Sequence, residues 1–424
     1  MTLLFAGIFV ICLLAGMPIV FTLAIPGFVY ILIQDVPLVM VPQRMFAGAD
    51  VYVLIALPMF IIAGNLMNAA GISKRLISFS MACVGFFPGG LAMVNVLASM
   101  FFGGVTGSGT AEAAAMGSIM VPAMKKQGYP DGFSAALTTV ASTCGPIIPP
   151  SILFIIYGFL AHVSIGRLFL AGFIPGVLIA VSLMLTVYYL AKKNNYPRGE
   201  PFSIRKIFIE FKNAILALIL PFIIVGGMIS GILTPTEVSV LAVFLAVLIG
   251  RFIYKELEWK DIPKIVIDSA ILSGSILLII ATNNILIYAI TLEQVAEKIG
   301  IFILSVTNNK FLILLLINFI LLILGAVIDN LPLMIMFIPI ITPIFKLLSV
   351  DPVHAGVFVV LNITIAMSTP PVGTSLFILA SIAKTDLYTV CRYIAPFLLA
   401  VFIVLMMITY FPFITLVIPN MFFD

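Results

Sequence analysis

The chain of 424 residues is 63% hydrophobic and only 9% charged, with a mean hydropathy of +1.29, which excludes a soluble globular domain. Its formal net charge of +4 is spread over loops instead of forming a patch, which points away from nucleic acid and toward anchoring at a cytoplasmic membrane surface. Apolar stretches near the length that crosses a bilayer recur along it, so the fold class is an all-α polytopic membrane protein with roughly 10 to 12 transmembrane helices; the ten-residue alternating strands of a barrel are missing from the pattern.

The first forty residues lack the basic start of a cleaved leader and run too long for one, so they read as membrane domain. Residues 51–70 form the first clear span, and 214–228, 238–253 and 395–410 form later ones. Basic residues bunch at Lys74 and Arg75, at Lys125 and Lys126, and along 192–212 and 251–264. The positive-inside rule places all four bunches in the cytoplasm, so each interval holds an even number of passes. Two helices with a turn near 164–167 fit between Lys126 and Lys192, and two more, turning at "GILTPTE" (231–237), fit between Lys212 and Arg251. Asp50 and Glu237 read as helix-start residues at the membrane surface, and Cys12, Cys83, Cys144 and Cys391, without metal-ligand spacing, as buried fillers.

Residues 90–124 depart from this pattern. Their apolar run is broken by 103–109, inside "FFGGVTGSGTAEAAAMG", leaving two legs of roughly 13 to 15 residues, too short to span at about 1.5 Å per residue. That predicts a re-entrant hairpin whose polar tip, at membrane depth, must be buried in protein or line a cavity. Sliding the chain by 221 residues superposes Gly104 on Gly325, Ile119 on Ile340, Pro122 on Pro343, Lys125 on Lys346, Thr143 on Thr364, Pro149 and Pro150 on Pro370 and Pro371, Pro175 on Pro396 and Leu178 on Leu399 without a gap. A second hairpin is therefore predicted over 311–347, with its tip at "GAVIDNLP" (325–332). An odd number of spans between the copies would invert the second, and inverted repeats with broken helices mark secondary transporters.

Each hairpin is followed by a proline-interrupted helix, "STCGPIIPPSI" (142–152) and "AMSTPPVGTS" (366–375). Proline frees carbonyl oxygens, which suit sodium, and opens a half-helix N-terminus, which suits a carboxylate. The expected oxygen donors are Gly104, Thr106, Ser108, Thr143 and Gly145 for a first sodium site, and Gly325, Asp329, Thr369 and Gly373 for a second. Ser108 and Ser151 are the expected hydroxyl donors to substrate. Gly and Ser in membrane helices also serve close packing. Asp329, an acid on a tip, is a functional candidate; Glu112 reads either as functional or as a capping acid in the first turn of a half-helix. His162 and His354 read as structural. "GVTGSGT" lacks the lysine of a phosphate loop and the dinucleotide glycine spacing, so no enzyme is expected; the remote enzymatic alternative is an intramembrane hydrolase pairing Ser108 with His162.

"ALPMFIIAGNLM" (56–67), "GGVTGSGTAEAAAMGSIMVPAMKKQGY" (103–129), "GPIIPPSILFIIYG" (145–158) and "STPPVGTSLF" (368–377) resemble, in order and along nearly the whole chain, the large membrane subunit of the tripartite ATP-independent periplasmic (TRAP) transporters. The resemblance implies an elevator-type, sodium-coupled importer of organic acids of the sialic acid or C4-dicarboxylate class in the bacterial inner membrane. It also implies two partners, a small four-helix membrane subunit and a periplasmic substrate-binding protein. No small subunit is fused here, so a separate polypeptide is expected; the alternative is a stand-alone sodium/anion symporter. Glu112 departs from the smaller residue expected at its position. The expected organisation is a scaffold from 1–88 and 213–310, a transport domain from 89–191 and 311–418, and a cytoplasmic connector over 192–212.

Overall fold

A computed structural model describes residues 2–199, 201–307 and 309–423. The first repeat comprises α1 (Thr2–Leu14), α2 (Ile19–Ile33), α3 (Met40–Ala49), α4 (Ala56–Ala69), α5 (Ile72–Val84), α6 (Gly90–Thr106), α7 (Gly109–Lys126), α8 (Asp131–Ala141), α9 (Ile152–Ala161) and α10 (Ile165–Asn194). The second comprises α11 (Ile204–Ile229), α12 (Pro235–Val247), α13 (Ile262–Leu292), α14 (Val295–Val306), α15 (Lys310–Gly325), α16 (Asn330–Leu347), α17 (Pro352–Ala366), α18 (Thr374–Ala383) and α19 (Leu387–Tyr410), with α20 (Phe413–Phe423) at the end. Among the described residues the only β pairing is an isolated bridge between Pro88 and Arg198. Among the described residues, seven helical segments are long and apolar enough to cross a membrane. Apolar residues such as Phe208, Phe222, Ile267 and Ile271 stand exposed on α11 and α13, as lipid-facing positions do.

The 221-residue repeat holds in three dimensions. Shifted by that offset, Gly109 and Lys126 fall on Asn330 and Leu347, the ends of α16, and Asp131 falls on Pro352, the start of α17. Both proline pairs, Pro149–Pro150 and Pro370–Pro371, are joined by cis bonds.

The basic bunches share one face. Arg75 pairs with Glu256 at 2.7 Å and lies 3.7 Å over the Tyr254 ring, whose hydroxyl donates to the Asn213 carbonyl. Gly199 N–H donates to Gly85, and Tyr129, just beyond Lys126, packs on Tyr196 at 4.9 Å. The turns at 164–167 and 231–237 lie at the other end, where His162, Ser164, Leu233, Pro235, Val51 and Val53 line one cavity. A Thr234–Glu237 capping box starts α12 there. Asp50, expected to start a helix, instead follows the last residue of α3, because the chain first passes through extended Val51 before the 3-10 turn Tyr52–Ile55.

The two hairpins enter from opposite ends. The open end of α6 and α7 is tied to the basic face by Gly89 N–H donating to Pro197. The open end of α15 and α16 is tied to the other, where Lys310 donates to Ser349, Tyr410 to Phe311 and Tyr157 to Pro352. Helices of the two repeats interleave: α8 packs on α18 and α19, α9 on α16 and α17, and α7 on α18, while α13 packs on α2, α3 and α4, α12 on α4, and α11 on α5.

The hairpin legs outrun the expectation: α6 has 17 residues and α7 has 18, so helix continues through Gly103 and Gly104 and the break narrows to Gly107 and Ser108. The cause is local. Gly107 takes φ +61° as a left-handed cap, its amide closing on Gly103, and Ser108 caps α7 by accepting from Ala111 N–H at 3.5 Å. Of the four cysteines expected as buried fillers, Cys12 and Cys144 are buried and Cys83 and Cys391 half-buried.

Candidate transport site

The first tip lies on the first broken helix. Gly107 accepts from Ile152 N–H at 3.3 Å and faces the Pro150 carbonyl, and Gly103 faces Gly145, both so closely that no side chain fits without moving backbone, while Gly104 stands in tight contact with the Pro149 carbonyl. After α8 the chain runs through a 3-10 turn, Ser142–Cys144, into a bend that is buried throughout. Thr143 donates to the Val140 carbonyl at 2.7 Å. Ser151, 0% exposed, restarts the helix by accepting from Phe154 N–H at 3.2 Å and donates to the Pro146 carbonyl. Pro146, Pro149 and Pro150 have no N–H, so they leave carbonyls of the preceding turn without a helical partner.

The second tip repeats the arrangement. Val372 and Gly373 N–H donate to the Ala326 carbonyl, Gly325 abuts Ala366, and Gly373 at φ +28° leads into α18. Asp329, exposed, accepts from the Thr374 hydroxyl at 3.2 Å. The two half-sites meet. Ser368 Oγ donates to the Thr139 carbonyl at 3.2 Å, and the Met367 side chain packs against Gly109 of the first hairpin.

Of the residues read from sequence, Gly104, Ser108, Gly145 and Ser151 come together at the first tip and bend, with Thr143 inside that bend. Gly325, Asp329 and Gly373 come together at the second. Thr106, in the last turn of α6, bonds back to the Phe102 carbonyl at 3.5 Å, and Thr369, three residues beyond the end of α17, bonds back to the Ile365 carbonyl at 2.9 Å. Thr374 was not singled out, though its place in "PPVGTS" beside an opposing acidic tip was a usable signal. Glu112 lies in the first turn of α7 but does not cap it: the carboxyl turns inward, 0% exposed, beside Gly145 and Ser99. His162 ends α9, about 15 Å along that helix from the bend against which Ser108 sits, so the serine–histidine pair of a hydrolase does not form. His354 is structural, its ring nitrogens bonded to Thr415 (2.9 Å) and the Thr409 carbonyl (3.2 Å).

Chemically, the centre offers carbonyl and hydroxyl oxygens with N–H groups at half-helix starts, and among the described residues no cluster of three or more His, Cys, Asp or Glu that would hold a transition metal. Such oxygens fit a hard monovalent cation, and the helix starts fit an anion. Inverted hairpins closing on broken helices define a multi-pass membrane transporter, and not an enzyme.

Comparison with known proteins narrows the class. Residues 6–414 match the family described as "Tripartite ATP-independent periplasmic transporter, DctM component", and the chain belongs to that family of TRAP large permeases. It is 40% identical to the uncharacterized protein YgiK of Salmonella typhimurium, over 98% of this chain and 96% of that one. It is 35% identical to the sialic acid TRAP transporter large permease SiaM of Vibrio cholerae, over 97% and 96%, and 34% identical to the C4-dicarboxylate TRAP transporter large permease DctM of Pseudomonas aeruginosa, over 89% and 88%. The crystal structure of the YdaH transporter of Alcanivorax borkumensis shares the fold, with a TM-score of 0.58 at 13% identity over 87% of this chain and 86% of that one. The protein is accordingly a multi-pass inner-membrane permease.

Proposed function

We propose that the chain imports an organic acid by sodium symport, receiving it from a periplasmic substrate-binding protein and working beside a separate small membrane subunit. The observation that carries this reading is the pair of tips, each closed on its own proline-broken bend and joined through Met367 and Ser368. Sodium at Gly104, Thr106, Ser108, Thr143 and Gly145, and at Gly325, Asp329, Thr369 and Gly373, would hold each tip on its bend. Ser108 and Ser151, on half-helix starts, would take the substrate carboxylate between them. Coupling then follows from differential affinity: sodium favours the state in which the tips are closed and the anion binds.

The substrate class is that of sialic acids or C4-dicarboxylates, for which SiaM and DctM are named. In the proposed elevator cycle residues 89–191 and 311–418 move as a unit against a scaffold of 1–88 and 213–310, with 192–212 as the connector. The packing of α13 on α2, α3 and α4, and the interleaving of α7 to α10 with α16 to α19, support that division.

The test is uptake of labelled sialic acid and C4-dicarboxylates into proteoliposomes holding this chain and its small subunit. Uptake that requires both loaded binding protein and an inward sodium gradient is expected. Uptake that ignores the binding protein would make the chain a stand-alone symporter, and uptake that ignores sodium would remove the coupling ion.

A further inference from the structure

Among the described residues, Glu112 is the one acidic side chain that is fully buried. It is 0% exposed, and neither carboxyl oxygen has a hydrogen-bond partner among the described residues. The Ser99 hydroxyl beside it is also fully buried and without a partner. One carboxyl oxygen presses so near Gly145 that a side chain there would overlap it. Three oxygens from two helices thus meet at one buried point where the Ser99 hydroxyl and the Gly145 N–H are the nearest donors and, among the described residues, no counter-charge is supplied. No basic group answers Glu112 from the elements packed on α7: α6 and α18 have no ionisable residue, the bend contributes only Cys144, and Asp131 of α8 is held by Lys125 at 2.7 Å, about 20 Å further down α7.

An ionised carboxylate taken out of water without a partner is strongly disfavoured, and in membrane proteins such groups pair or hold an ion. We propose that Glu112 and Ser99 form an alkali-cation subsite behind the first tip, in which the carboxylate supplies the charge that the carbonyls and hydroxyls of the tip and bend lack. This rests on the sodium-coupled reading and adds to it an anionic ligand, contributed by α7, that shares Gly145 with the first site. The set consists entirely of oxygens, matching sodium and not a thiophilic metal. Its consequence is directional: Ser99 belongs to the first leg and Glu112 to the second, so an ion between them clasps the two legs of the hairpin together against the bend.

The test needs no transport. The purified full chain is heated in sodium chloride and in choline chloride at matched ionic strength, and the sodium-specific rise in melting temperature is titrated for wild type, E112Q, S99A and D329N. The expected result is a wild-type rise that needs at least tenfold more sodium in E112Q and a smaller increase in S99A, with D329N retaining the E112-dependent phase. E112Q with an unchanged titration would overturn the subsite while leaving sodium coupling intact. No sodium-specific rise in wild type or any variant would overturn the sodium reading itself. A wild type stabilised by acid but not by sodium would overturn the subsite in favour of a neutral, protonated Glu112. Should E112Q not fold, S99A decides alone, an unaltered titration counting against the site.

Discussion

Replacing Gly107 by alanine tests the hairpin tip at its tightest point. Its φ of +61° is left-handed, which costs a residue with a Cβ about 1 kcal/mol. The added carbon would also overlap the Pro150 carbonyl and stand 3.2 Å from both Ile152 N and Ser151 Cα. Backbone must therefore move, and the Gly107–Ile152 hydrogen bond is lost with it, a further ~1 kcal/mol. The closed tip weakens by roughly 2 to 3 kcal/mol, a fall of about 30- to 150-fold in its population relative to the open tip. Sodium-driven uptake by G107A should drop accordingly, while its yield in the membrane, which depends on the spans and not on the tip, stays near that of wild type. Gly128 is the control: its φ is +87°, yet nothing lies within 4 Å of a Cβ there, so G128A should lose only ~1 kcal/mol of stability and keep transport. Wild-type uptake by G107A would refute the claim that the tip must close on the bend.

Asp329→Ala should shift the sodium activation of uptake to higher concentration without a comparable loss of thermal stability, since Asp329 is exposed and its carboxyl is held by the Thr374 hydroxyl and the Asn330 N–H at the tip surface; an unmoved activation curve removes it from the scheme. Ser108→Ala deletes the α7 cap and should lower uptake while costing about 0.5–2 kcal/mol of stability by thermal unfolding. Arg75→Ala removes a half-exposed ion pair and a ring contact at the basic face, and should cost ~1 kcal/mol, part of it screened by salt, with transport retained. The Thr389 hydroxyl, at 2.6 Å, and then its amide, at 2.9 Å, hold the Asp386 carboxyl below the usual carboxylate range at the start of α19. A depressed folded value stabilises above the ordinary aspartate pKa and is lost as pH falls through the folded one. The difference in melting temperature between wild type and D386N should therefore stand at pH 6, begin to shrink only below about pH 4, and vanish once the pH lies below the depressed folded value.

Much of this architecture was legible in the sequence because its signals are covalent and rigid. Prolines 149, 150, 370 and 371 cannot continue a helix, and their exact offset predicted where α9 and α18 restart. Lysine and arginine bunches predicted which loops share a face, because lipid excludes them wherever they are not paired. Helix ends inside the hairpins were less legible, since Gly103 and Gly104 read as breakers locally but remain helical where a close neighbour, Gly145, rewards a small residue. Asp50 misled for a related reason: a polar residue between two apolar runs can end one helix as readily as begin the next. The inward turn of Glu112 could not be read at all, because first-turn acids normally face outward toward the dipole and only the packing of α6 and the bend shows where its side chain goes.

Eight helix ends converge where the tips meet the bends: the starts of α7, α9, α16 and α18, and the ends of α6, α8, α15 and α17. Each start contributes about +0.5 and each end about −0.5 of an elementary charge, so the backbone offers both signs side by side while summing to nearly zero. A unit charge moved through the membrane field exchanges ~2.3 kcal/mol per 100 mV, and a frame built this way adds nothing to that total. In the proposed cycle the voltage dependence of uptake is thus set by the side-chain charges that move with the unit, Glu112 and Asp329 at its centre among them, and by the ions that travel with them. The net charge carried per molecule of substrate over a full cycle counts the accompanying ions.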